Sequence, residues 1–161
     1  MTTLVPMTAA EFERYLEVAI AEFARDKVAS GQWTEASALE LSRRDYAELL
    51  PQGVSTPGNF IYTIRDDTAQ ETVGMIWFAV QERGGQQVAY VYDVAVDAEH
   101  QRKGHASRAF LALEHEVRKQ GLAGIALHVF GHNRGALALY ERLGYVPTNI
   151  NMFKPVGNAG V

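Results

Sequence analysis

Tyr90-Val91-Tyr92-Asp93-Val94-Ala95-Val96, then Asp97 to His100, then Gln101-Arg102-Lys103-Gly104-His105-Ala106 is the stretch around which this chain is organised. Its β-branched and aromatic run predicts a strand, and Ala106, Ala109, Phe110, Leu113 and Val117 recur at the spacing of a helix. The short loop between them must enter the helix with its amides exposed. Gly104 and Ala106 add no bulk there, so a ligand can approach the backbone closely. The first amides of a helix have no internal partner and its dipole favours negative charge, so the junction reads as a pyrophosphate cradle. On the glycine spacing alone, an ordinary strand-loop-helix turn fits as well.

A second segment follows another predicted strand: Asn133-Arg134-Gly135-Ala136-Leu137-Ala138-Leu139-Tyr140-Glu141-Arg142-Leu143-Gly144-Tyr145. Its Asn133, Ala136 and Tyr140 share one helical side. In this order the two segments resemble the GCN5-related N-acetyltransferases, the GNAT superfamily. Gln101, Gly104 and Ala106 match that family's Q/R-x-x-G-x-G/A acetyl-CoA signature, with alanine at the third small position. Asn133, Ala136, Tyr140, Gly144 and Tyr145 match its N-x-x-A-x-x-x-Y-x-x-x-G-F/Y signature. The resemblance is sharp from about Thr72 to Tyr145 and architectural before that.

The resemblance implies a mixed, mainly antiparallel sheet of six to seven strands, flanked by helices on both faces and splayed between the fourth and fifth strands. Unpaired backbone groups of Val94, Ala95 and Val96 would face that splay and pair with the pantetheine arm of acetyl-CoA as an extra strand would. The Val96 amide would polarise the thioester carbonyl. Amides from Gln101 to Ala106, with Arg102, Lys103 and the Ser107 hydroxyl, would hold the pyrophosphate, while His105 occupies a variable position and is expected to face solvent. Arg102 and Lys103 are just as easily a solvated surface pair. Tyr140 matches the tyrosine that donates to the coenzyme A sulfur as general acid; on the residues alone it is also a buried aromatic on the face of Ala136 and Leu143. Asn133 would hydrogen-bond the pantetheine arm, cap the helix, or do both.

Asp93 is the one charge inside its strand and matches an acidic position that many family members carry. Among apolar neighbours it is either hydrogen-bonded structure or a base acting through water, a role that a raised pKa helps. By strand alternation, Tyr90 and Tyr92 are expected on the opposite face from Asp93. His100, His105, His115, His128 and His132 show no H-x-H or H-E-x-x-H spacing, so no metal is expected.

The chain has 161 residues, 47% apolar and 21% charged, as expected for one folded, soluble domain over residues 1–161. A net charge of −4 without any basic run argues against a nucleic-acid partner. With no cysteine, disulfides and an acyl-cysteine intermediate are excluded. No apolar run approaches a membrane span, and no basic-then-apolar leader opens the chain, so a cytoplasmic location is expected.

Upstream, Leu4 and Val5 suit a first strand. Thr8 and Glu11 form a capping-box pattern before a helix over about 9–29 whose inward face is Phe12, Leu16, Ala19, Ile20 and Phe23. Thr34 opens a second helix with Ala36, Leu39, Tyr46 and Leu50 inward; in the resembled family such a pair covers the acceptor side of the cleft. Three strands joined as hairpins follow at Phe60–Arg65, Thr72–Glu82 and Val88–Val96. A fifth strand at Ile125–Phe130 should run parallel to the one ending at Val96, and a last strand is expected around Ile150–Lys154, before a loose tail at Gly157–Val161. The function implied is acetyl transfer from acetyl-CoA to a primary amine of a small molecule or protein, by direct attack in a ternary complex. A non-catalytic acyl-CoA-binding module is the alternative, and a homodimer is common in the family.

Overall fold

The computed structural model describes residues 1–157. Five strands form one sheet among them, in the spatial order in which they occur along the chain: β1 (Thr2–Pro6), β2 (Asn59–Asp66), β3 (Glu71–Arg83), β4 (Gln86–Val96) and β5 (Ile125–Leu127). The first four are antiparallel neighbours, and β5 joins β4 in parallel. A crossover helix, α3 (His105–Lys119), makes that parallel step possible.

The long helices α1 (Ala9–Ala29) and α2 (Glu35–Leu49) cover one face of the sheet. Thr8 and Glu11 close the capping box at the start of α1, satisfying amides that the helix itself leaves unpaired. Phe12, Ala19, Tyr46 and Leu50 pack there with Met75 and Trp77. The buried side of α2 is Ala38, Ser42 and Tyr46 rather than the expected line through Ala36 and Leu39. The small Ala38 and Ser42 let the two helices approach, and the Ser42 hydroxyl donates to the Ile20 carbonyl at 2.7 Å. Thr34 sits at the N-cap, yet its hydroxyl meets Ser37 instead of a backbone amide.

On the other face, α3 and α4 (Arg134–Arg142) pack Phe110, Leu113, Val117 and Tyr140 on Ile76, Phe78 and Val91. Trp77 and Phe78, adjacent on β3, point to opposite faces and are each at most 1% exposed. Each such burial stabilises the fold by about 1.5–3 kcal/mol.

Two strand expectations are also corrected. The strand at Ile125–Phe130 pairs only as far as Leu127. No strand forms around Ile150–Lys154, so the described sheet has five strands and not six or seven. The large apolar side chains there, among them Ile150, Met152 and Phe153, are exposed. The tail expected for Gly157–Val161 lies, from residue 158 on, outside the described residues. Among the described residues no helix is long and apolar enough to cross a membrane.

Candidate active site

The site begins where β4 and β5 part. Their pairing is confined to Ala89 with Ile125, Tyr90 with Ala126 and Val91 with Leu127, after which β4 continues to Val96 without β5. A β-bulge lies at the same level: Phe78 faces Val91 but Trp77 faces Asp93, which leaves Tyr92 as the extra residue. Before the bulge the Ala89 amide donates toward β5, to the Gly124 carbonyl at 2.9 Å. After it the Asp97 amide donates toward β3, to the Val73 carbonyl at 2.9 Å. The odd-numbered residues have thus changed sides. Val94 and Val96 turn their backbone groups into the opening, whereas Ala95, opposite Met75, turns its own to β3. The Gln101 side-chain amide donates to the Val96 carbonyl at 2.9 Å.

The bulge also corrects the expected side-chain alternation. Tyr92 stacks on Trp77 with ring centroids 4.6 Å apart, Tyr90 meets Tyr92 edge-on at 4.9 Å, and Asp93 accepts a 2.6 Å hydrogen bond from the Tyr15 hydroxyl of α1. All three therefore share the α1/α2 face. Burial pushes the Asp93 carboxyl above its ordinary range. The Tyr15 bond and the Val94 amide oppose that shift, while the nearby Glu22 and Asp26 carboxylates add to it.

A cavity of about 400 Å³ fills the opening. Asp93 and Tyr92 line it from β4, Asn133, Ala136 and Tyr140 from α4, and Glu22, Phe23 and Tyr46 from α1 and α2. Asn133 caps α4 by accepting the Ala136 amide at 3.2 Å, which leaves its side-chain NH2 without an acceptor among the described residues. Tyr140 is 7% exposed, packed edge-on against Phe110 at 5.4 Å, and its hydroxyl has no hydrogen-bond partner among the described residues. Burial, and then the Asp93 charge, push the Tyr140 phenol up to about 12.

The loop after β4 is shaped by two left-handed residues, Arg102 (φ 62°) and Gly104 (φ 83°), the second directly before α3. Side chains of Gln101, Arg102 and Lys103 are exposed, and the last two have no carboxylate partner among the described residues. The amides from Arg102 to Ser107 have no protein acceptor among them either, and Ala106 and Ser107 stand in the first turn of α3. His105 is buried, not solvent-facing: its Nε2 lies 4.0 Å from Asp66 and its Nδ1 3.1 Å from Arg108. Arg108 ties the loop down by donating to the Lys103 carbonyl at 3.0 Å and to the Thr2 hydroxyl at 3.1 Å.

Sequence reasoning missed Tyr15 and Arg108. Each has partners distant in the chain or across a turn of unforeseen shape, and no local pattern announces either. Among the described residues no group of histidine and carboxylate side chains could hold a metal ion.

Residues 20–145 match the model of the Acetyltransferase (GNAT) family. The chain is 34% identical to each of two uncharacterized N-acetyltransferases of Bacillus subtilis (strain 168), YycN and YdgE, over 94% of its own length and 96% of theirs. A crystal structure of YycN superposes with a TM-score of 0.92 at 33% identity, covering 97% of this chain and 99% of that one.

Proposed function

The chain belongs to the GNAT acetyltransferase family, and on that footing we propose that it moves an acetyl group from acetyl-CoA to a primary amine by direct attack in a ternary complex. The observation that carries the proposal is that Asp93 and Tyr140 line one cavity at the place where β4 opens. The chain's own groups suit the donor. Free amides from Arg102 to Ser107, with Arg102 and Lys103 beside them, suit a pyrophosphate. The backbone of Val94 and Val96 and the Asn133 NH2 suit the amides of a pantetheine arm.

The amine nitrogen attacks the thioester carbonyl carbon, the carbon–sulfur bond breaks, and the second proton that the nitrogen carries passes through water to the Tyr140 oxygen, which has given its own proton to the sulfur. An aliphatic ammonium has a pKa near 10.4, so a proton must be removed first; Asp93 accepts it, directly or through water. The Val96 N–H points into the opening and steadies the carbonyl oxygen as it gains negative charge. Tyr140, at about 12, stays protonated and donates to the departing sulfur. Full transfer to a thiolate of pKa near 8.5 would be uphill by about 5 kcal/mol. Once Asp93 has taken the amine's proton its charge no longer raises the phenol, and that barrier falls. Base and acid are thereby coupled.

The test is a calorimetric titration with acetyl-CoA, with ATP and NAD as controls, followed by thiol release with an amine panel. Saturable binding of acetyl-CoA alone, with amine-dependent thiol release, supports transfer. Binding without release from any amine points to a sensing module instead.

A further inference from the structure

We propose that the acceptor is a small amine with a second positive charge and no carboxylate, a di- or polyamine, whose reacting end meets Asp93 while its other cationic end lies at the mouth formed by Glu22 and Asp45. This inference rests on the transfer reading above and names the substrate class of the same site.

The charges around the cavity are unbalanced. Four carboxylates line it, Glu22 and Asp26 on α1, Asp45 on α2 and Asp93 on β4. Asp26 is paired with His132 at 2.9 Å. Glu22, Asp45 and Asp93 have no basic partner within ion-pair distance among the described residues. Lys27, the one lysine or arginine of the lining, is engaged elsewhere: its ammonium sits over the rings of Phe23 (5.4 Å) and Trp33 (5.3 Å) and donates to Gln32 at 2.9 Å. His128 also faces the cavity, and burial and then Lys27 push it toward the neutral form. Tyr15, Tyr46, Tyr90, Tyr92 and Tyr140 are the remaining titratable groups at or behind the wall; the Tyr92 hydroxyl accepts from Gln81 at 2.8 Å, and burial pushes the phenols of the other four up, so those stay uncharged.

The walls between these carboxylates are aromatic. Trp77, Tyr92 and Tyr90 form a stacked and edge-on series on the sheet, and Phe23, Tyr46 and Phe130 close the side toward α1 and α2. Ring faces attract cations and accept methylene chains, so a flexible alkyl chain with a cation at each end fits this lining. An amino acid does not, because its carboxylate would stand among four others. Tyr140 lines the same space, and its hydroxyl has no hydrogen-bond partner among the described residues, so it is free to bond a ligand there.

The decisive assay measures kcat/KM by thiol release from acetyl-CoA with diaminobutane, spermidine, butylamine and aminobutyrate. The expected order places the diamine and spermidine about tenfold or more above butylamine, with aminobutyrate last. Glu22→Gln, at an exposed position, and Asp45→Asn, at a half-buried one, remove carboxylates with no hydrogen bond or ion pair among the described residues, and are expected to raise KM for diaminobutane more than for butylamine. Equal use of butylamine, preference for aminobutyrate, or an unmoved diamine-to-butylamine ratio in both variants overturns the dication while leaving acetyl transfer intact. Thiol release from none of the amines overturns the transfer reading beneath it.

Discussion

The Tyr15 hydroxyl of α1 donates a 2.6 Å hydrogen bond to the Asp93 carboxylate of β4, joining residues 78 positions apart. This bond opposes the upward push that burial exerts on Asp93, so it holds the proposed base at a lower pKa than the cavity alone would impose. Tyr15→Phe removes that opposition. The acidic limb of kcat/KM against pH is expected to move to higher pH in the variant, read from initial rates at acceptor concentrations well below KM with acetyl-CoA saturating.

Asp93→Asn removes the proposed base and is expected to lower kcat about a hundredfold. It also bears on stability. The folded-state pKa of Asp93 lies above its ordinary value of 3.8, so the folded protein binds more protons than the unfolded chain between the two values. Its contribution is therefore fully present below 3.8 and is lost as pH rises through the folded value. At neutral pH the asparagine variant should melt at a higher temperature than wild type, and the gain should shrink as pH falls toward 3.8 in a thermal-denaturation series. Lower activity with higher stability would mark Asp93 as functional and not merely structural.

The shape of the loop before α3, the proposed pyrophosphate site, depends on Gly104 and Arg108. A Cβ at Gly104 would approach the Arg108 guanidinium to 2.7 Å, on a backbone with φ +83°. Gly104→Ala should cost about 1–2 kcal/mol locally. Arg108→Ala should free the Lys103 carbonyl and the Thr2 hydroxyl and raise the acetyl-CoA dissociation constant about fivefold by loosening the loop, as calorimetry would read.

Gly74 fixes how closely β3 approaches the end of β4. A Cβ there would lie 2.1 Å from the Ala95 carbonyl oxygen and 3.0 Å from the Val96 Cα. Gly74→Ala must push β4 away and should destabilise the fold by about 2–4 kcal/mol in urea denaturation.

How far the residues alone foretold this architecture follows from how local each cause is. The strands at Phe60–Arg65, Thr72–Glu82 and Val88–Val96 were legible because hairpins of β-branched and aromatic residues declare themselves within ten residues or so. The capping box at Thr8 and Glu11 is equally local. The bulge at Tyr92 was not legible, because it depends on how Trp77 and Phe78 of another strand engage β4, and strict alternation then put Asp93 on the wrong face. The buried state of His105 escaped notice for a similar reason: Asp66 and Arg108 receive it from different elements. Around Ile150–Lys154 the apolar residues promised a strand, but a strand needs a partner, and no described strand pairs with that segment. The inward side of α2 was misjudged at Ala36 and Leu39, since close helix packing selects small residues such as Ala38 and Ser42 over the most apolar ones.

The measurement that bears most directly on acetyl transfer compares Tyr140→Phe with wild type in two quantities, the rate of thiol release at saturating amine and the dissociation constant for acetyl-CoA. The phenylalanine ring keeps the contact with Phe110, and the hydroxyl it lacks has no partner among the described residues, so the variant should fold with a stability change below about 0.5 kcal/mol. A rate reduced about a hundredfold, with acetyl-CoA affinity within about threefold of wild type, is the expected result. An unchanged rate would contradict the account, because Tyr140 would then be only a packed aromatic, and the sulfur would have to take its proton from elsewhere.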